Sequence, residues 1–191
     1  MSDITILGIP GSLRDGSYNR ALLETADEIA PDGAAVEIFD LHDVPMYDRD
    51  IEREGDPEPV AEMKRRIDAA DGVLIATPEY QHGVPGVLKN ALDWASRPPG
   101  ESVLKGKPVA AVGASPSPVG TARAHLQLRR ILLYVESDIV AKPEVLVAEA
   151  HDKFEDGRLT DEDSLGFLEK LVEAFVERIR EVRARAGGAD G

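Results

Sequence analysis

Ile4-Thr5-Ile6-Leu7-Gly8-Ile9-Pro10-Gly11-Ser12-Leu13-Arg14-Asp15-Gly16-Ser17-Tyr18-Asn19 begins as an apolar strand and empties into a Gly/Ser/Asn loop. A segment of helical period, Arg20–Ala30, follows at once. A helix that starts there turns its unpaired backbone N–H groups, and about half a positive charge of helix dipole, toward whatever sits in the loop. The stretch therefore reads as an anion site. Ser12, Ser17 and Asn19 add neutral donors, and Arg14 offers a planar fork matched to phosphate oxygens. Neither Gly-Lys-Ser/Thr nor Gly-x-Gly-x-x-Gly is present, so the loop suits a terminal phosphate monoester better than a triphosphate or pyrophosphate. Three or four charge-assisted hydrogen bonds of about 1.5–3 kcal/mol each are enough to seat a phosphate dianion. The plainer alternative makes Ser17 or Asn19 an N-cap and Arg14 a solvated charge.

Outward from this stretch, five short apolar segments alternate with longer segments of helical period, the pattern of a parallel sheet wrapped on both faces. The expected strands are Ile4–Ile9, Ala35–Phe39, Gly72–Ala76, Pro108–Gly113 and Val145–Val147. The expected helices are Arg20–Ala30, Pro59–Ala70, Gly86–Ser96, Thr121–Tyr134 and Asp161–Arg185, the last with Leu165, Leu168, Leu171, Val172, Phe175, Val176 and Ile179 on one face. Leu41–Asp56 and Arg97–Gly106 read as loops. One domain over 1–185 and a frayed tail from Ala186 to Gly191 complete the organisation.

Composition narrows the chemistry. The 191 residues include no cysteine, which excludes disulfides, thiolate metal sites and cysteine nucleophiles, so any redox work falls to a bound organic cofactor. His42, His125 and His151 form no recognisable metal-ligand pattern. The formal charge of -14 makes nucleic acid an improbable partner. There is no apolar run near the roughly 20 residues of a membrane span, and Met1-Ser2-Asp3 has no basic flank leading into an apolar stretch, so a soluble, unprocessed protein is expected. Low lysine beside abundant Asp and Glu suggests a carboxylate-rich surface of the halophilic kind. Charges beyond about 8 Å are largely screened at physiological salt, so this acidity does not forbid a phosphate ligand held by local donors.

After the third strand comes Thr77-Pro78-Glu79-Tyr80-Gln81-His82-Gly83-Val84-Pro85-Gly86-Val87-Leu88-Lys89-Asn90-Ala91-Leu92-Asp93-Trp94. Together with Gly11-Ser12-Leu13-Arg14 and Ser17-x-Asn19, and with Gly113-Ala114-Ser115 followed by Gly120-Thr121-Ala122-Arg123, this run resembles the NADPH-dependent FMN reductase family, relatives of quinone, azo and chromate reductases. The resemblance spans about Ile4 to Leu132. It departs from the family pattern at Gln81, where Asn is usual, at Gly83, where Ser is frequent, and at Val119-Gly120, where Gly-Gly is usual.

The resemblance implies a flavodoxin-like three-layer α/β sandwich whose five-stranded parallel sheet has the order 2-1-3-4-5. It also implies bound FMN, with NADPH or NADH as co-substrate and a quinone, flavin, azo or nitro compound as acceptor. Ser12, Arg14, Ser17, Tyr18 and Asn19 are then expected at the FMN phosphate. Pro78, Glu79, Tyr80, Gln81 and His82 are expected about the ring, with Ser115 reaching the flavin from the third loop. For His82 the alternative is a solvated loop side chain, and Trp94 fits core or subunit contact better than flavin stacking. No side-chain nucleophile or base is expected, because the hydride chemistry belongs to the cofactor. A cytoplasmic homodimer or homotetramer completes the expectation. The competing reading is a flavodoxin-type FMN electron carrier without a nicotinamide site. Sparse aromatic residues argue against it, since they make a ring enclosed between two aromatic side chains improbable.

Overall fold

The computed structural model describes residues 4–188. In chain order the elements are β1 (Ile4–Pro10), α1 (Tyr18–Glu28), β2 (Ala34–Ile38), α2 (Arg49–Glu54), α3 (Glu58–Ala69), β3 (Gly72–Ala76) and α4 (Gly86–Ala95). They continue with β4 (Pro108–Ala114), α5 (Ala122–Tyr134), β5 (Asp138–Val147), β6 (Phe154–Glu155), β7 (Arg158–Leu159) and α6 (Glu162–Gly188). Five parallel strands in the order β2-β1-β3-β4-β5 make the central sheet, the flavodoxin-like arrangement.

The apolar alternation along each strand decides the layers. Ile4 and Ile6 of β1 and Leu74 and Ala76 of β3 join Leu22 and Leu23 of α1 and Leu168, Leu171 and Phe175 of α6 in one core. Leu7, Ile9, Val73 and Ile75, pointing the other way, meet Met63 of α3, Leu88 and Trp94 of α4 and Leu128 of α5. At Gly72 α6 lies hard against the sheet: a Cβ there would stand 2.7 Å from the Phe175 ring. Among the described residues no helix is long and apolar enough to cross a membrane.

Four differences from the sequence reading have physical causes. The fifth strand starts at Asp138, seven residues before the expected Val145. Its pairing with β4 skips from Val140 to Val145, so Ala141–Glu144 bulge out of an edge strand, where Pro143 and two charges are tolerated. The presumed loop Leu41–Asp56 contains α2, N-capped by the Asp48 carboxylate. A β-ribbon, β6–β7, precedes the last helix; its two-residue turn is Asp156-Gly157, both with positive φ, the Asp-Gly signature of a type I′ hairpin. Helix α6 runs on to Gly188, so the tail expected to fray from Ala186 is helical through 188, and 189–191 lie outside the described residues.

The segment between β2 and α2 is a strap fastened to α4. Asn90 accepts the Tyr47 N–H at 2.7 Å and donates to the Pro45 carbonyl at 2.8 Å, and the Trp94 indole N–H reaches the same carbonyl at 2.8 Å. Asn90 and Trp94 stand four apart on one helix, which puts both on one face. Trp94 is wholly buried with Tyr47 edge-on at 5.0 Å, so of the two roles expected for it, core is the one observed.

Candidate functional site

From β1 the chain moves to one side to form β2, then crosses back to form β3 on the other side of β1. Between β1 and β3 the sheet order reverses, and there the loops leaving the carboxyl ends of the strands part to form a crevice. Backbone bonds tie the loops to neighbouring strands: Gly11 N–H to the Ala76 carbonyl at 2.8 Å, Thr77 N–H to Val112 at 2.9 Å and Ser115 N–H to Val147 at 3.0 Å. The fit is close enough that a Cβ on Gly113 would meet the Thr77 carbonyl at 2.6 Å.

In the first loop Ser17 is the N-cap of α1, its hydroxyl accepting the Arg20 N–H at 3.4 Å. The N–H groups of Tyr18 and Asn19, in the first turn, have no carbonyl within the helix to bond and face the loop end. The buried Ser12 hydroxyl accepts the Arg14 N–H at 3.4 Å, and the exposed Arg14 guanidinium donates to the Gly16 carbonyl at 3.0 Å. Asn19 departs from expectation. Its amide donates to the Ala114 carbonyl at 2.9 Å and accepts the Ala114 N–H at 3.0 Å, so this buried side chain clamps α1 to the end of β4. With its side chain engaged there, Asn19 leaves its backbone N–H to the loop. The Tyr18 ring packs on Phe154 at 5.0 Å, which likewise leaves its backbone N–H to the loop.

In the second loop Tyr80 and Gly83 exchange two backbone hydrogen bonds of 3.1 Å around Gln81 (φ 49°) and His82 (φ 63°). This is a type I′ turn, built on two residues that are not glycine. Gln81 and His82 are exposed, and their N–H groups take no part in the exchange. The Tyr80 hydroxyl lies 3.4 Å from that of Ser12, which brings the first and second loops together. Pro78 is buried under Gly11, where an added Cβ would meet its ring at 3.1 Å.

Glu79 departs more sharply from expectation. Its carboxylate accepts the N–H groups of Arg123 and Ala124 at 2.9 and 3.1 Å, and the Arg123 guanidinium at 3.0 Å. Helix α5 has no cap from its own Thr121, and Glu79 takes that place from outside. Burial pushes this carboxyl up, but the Arg123 guanidinium and the two backbone donors outweigh it and hold the group below its ordinary value.

In the third loop the buried Ser115 hydroxyl accepts the Ser117 N–H at 3.2 Å and keeps its own proton to donate. Behind the loop lies His125, buried on α5. Burial, opposed by a bond with the Val112 backbone, pushes its ring down to about 4.

Three contacts escaped the sequence reading. His42 of the strap bonds the Leu13 carbonyl at 3.0 Å, Gln127 of α5 accepts the Val84 N–H at 2.8 Å, and Asn90 and Trp94 hold Pro45. Only the last pair left a signal, the four-residue spacing of two polar-tipped side chains within an apolar helix.

Residues 4–152 match the family model described as NADPH-dependent FMN reductase. The NAD(P)H-dependent FMN reductase of Pseudomonas aeruginosa is 43% identical over 182 residues, covering 95% of this chain and 98% of that protein. The quinone reductase of Escherichia coli strain K12 is 38% identical over 184 residues, covering 94% of this chain and 97% of its own. Among solved structures, the flavoenzyme NAD(P)H:(acceptor) oxidoreductase FerB of Paracoccus denitrificans superposes with a TM-score of 0.84 at 37% identity, covering 93% of this chain and 98% of FerB. With three loops converging where the sheet order reverses and a match extending over most of the sheet, this chain belongs to the NADPH-dependent FMN reductase family.

Proposed function

We propose that the protein carries two electrons from NADH or NADPH to a quinone or free flavin by way of FMN held without a covalent bond in the β1, β3 and β4 loops. The observation that carries this reading is the meeting of those loops, with the Ser12 and Tyr80 hydroxyls 3.4 Å apart where a phosphate-type loop joins a turn of outward N–H groups. The residues present fit a phosphate monoester. The Ser12 and Ser17 hydroxyls, the Tyr18 and Asn19 N–H groups and the Arg14 guanidinium are the donors that would hold it.

FMN, when bound, supplies the ring that accepts and returns the hydride. The turn Tyr80–Gly83 would flank that ring with its Gln81 and His82 N–H groups, Pro78 would support it from the buried side and Ser115 would donate from the third loop. Glu79 acts through α5 instead of touching the ring. Two electrons and one proton arrive together as hydride, and the second proton that quinone reduction needs comes from solvent. Exposed His82, on the same turn, would not be required for it.

The same reading includes a homodimer seated on α4 and α5, work in the cytoplasm where the reduced nicotinamide is supplied, and a surface adapted to salt. The phosphate contacts are tested by the Ser12→Ala, Arg14→Ala double variant. Loss of two bonds to a charged group should weaken FMN binding by roughly a hundredfold, at 1.4 kcal/mol per decade, with the far-ultraviolet circular dichroism unchanged. Parent-like affinity would remove these residues from the phosphate site.

A further inference from the structure

Gly83 poses a question that the turn around it does not answer. Its own φ is not positive; the left-handed positions belong to Gln81 and His82, where glycine would relieve the backbone and is not found. The turn needs no glycine at 83. A neighbour does: a Cβ built on Gly83 would stand 2.5 Å from Oε1 of Gln127, the oxygen that accepts the Val84 N–H at 2.8 Å.

Helix α5 thus holds both ends of the segment, through the Glu79 carboxylate on its first turn before the strained pair and through Gln127 one turn further along after it. Two L-residues in left-handed geometry favour relaxation of the loop, so anchors on both sides are what keep the turn in one form.

We propose that Gln127 is a positioning residue of the cofactor site, and that Gly83 is glycine to make room for it. The inference rests on the reading of this crevice as an FMN site. Gln127 touches no cofactor atom; through the Val84 N–H it fixes the Tyr80–Gly83 turn and hence the direction of the Gln81 and His82 N–H groups. Because the colliding atom is the end of a flexible side chain, a methyl at 83 pushes Gln127 aside and breaks the same bond that removing Gln127 would break. The two substitutions are therefore alternatives for one loss.

The test uses the full-length parent with Gln127→Ala, Gly83→Ala, the double variant and Gln127→Glu, which keeps an acceptor oxygen. FMN affinity is read from the quenching of flavin fluorescence on the apoprotein, and hydrogen exchange is followed at the Val84 amide. Gln127→Ala and Gly83→Ala should each weaken FMN binding by about fivefold and speed Val84 exchange alike, with the double variant no worse than either single one and Gln127→Glu close to the parent. Additive losses, or Val84 exchange unchanged in Gln127→Ala, would overturn the proposal. If the parent bound no FMN, the functional reading would fall, while exchange at Val84 would still decide whether Gln127 holds the turn.

Discussion

Residues that look like ligands in the sequence prove, in two cases, to be fasteners. Asn19 and Glu79 both sit beside the crevice, yet each uses its side chain to stitch one loop's helix to another strand or helix. Side-chain chemistry alone could not separate these roles, since an amide or a carboxylate serves a backbone N–H as well as it serves a ligand; direction decides, and direction comes from tertiary packing. His125 shows a related effect. Buried against the Val112 backbone, its ring stays neutral in the folded protein until about pH 4, whereas the unfolded chain protonates it near 6.5. The folded-state value is the lower one, so the stability it contributes is fully present above pH 6.5 and is lost as pH falls toward 4, by roughly 3 kcal/mol in all. His125→Leu should lack this component: in urea unfolding at pH 7 and pH 4.5 the parent should lose about 2–3 kcal/mol more than the variant. Equal losses in the two proteins would mean that His125 titrates normally in the fold.

Helices α4 and α5 leave a groove of about 540 Å³ between them, lined by Leu92, Asp93, Gln127, Ile131 and Tyr134. Along the outer face of α5 stand Leu126, Leu133 and Tyr134, exposed by 63%, 66% and 87%. Leu126 and Leu133 are seven apart, so they share one stripe, and Lys89 and Asp93 of α4 form an ion pair beside it. Large apolar side chains so exposed along one helix fit the face of a second copy better than they fit water. Sedimentation should find the parent dimeric and Leu133→Asp monomeric with its FMN retained; a monomeric parent would remove this interface. At this scale the sequence was legible where periodicity is strong. Four strands of the central sheet, the end of the fifth and the five long helices follow from alternation and 3.6-residue spacing, and the three loops at strand ends were readable as a candidate site. Periodicity is silent for short or interrupted elements. The bulged edge strand hides behind Pro143, α2 spans too few residues to show a face, and only the Asp156-Gly157 pair carried a readable turn signal. The Gln81-His82 turn carried none, because its geometry is held from α5 instead of being favoured by its own residues.

Over the whole molecule, the 36 acidic side chains outnumber the cations by 14. Much of the cationic charge is already engaged in surface pairs such as Arg65 with Glu58 and Glu62, where water around both partners keeps the gain small. Salt screens those small gains along with the repulsion among unpaired carboxylates, and the excess of negative charge makes repulsion the larger of the two. The melting temperature should therefore rise between dilute buffer and molar KCl; a flat or falling value would leave an ordinary acidic protein. The sheet's reversal between β1 and β3, the donors gathered there and the family match converge on one claim, that the crevice holds an FMN reducible by nicotinamide and reoxidisable by a quinone. Anaerobic titration of the FMN-loaded protein with NADPH and with NADH tests it most directly. Bleaching of the flavin absorbance at one equivalent of at least one nicotinamide, recovery on adding benzoquinone and parallel double-reciprocal plots at steady state are the predicted result. A bound flavin that neither nicotinamide bleaches would contradict it.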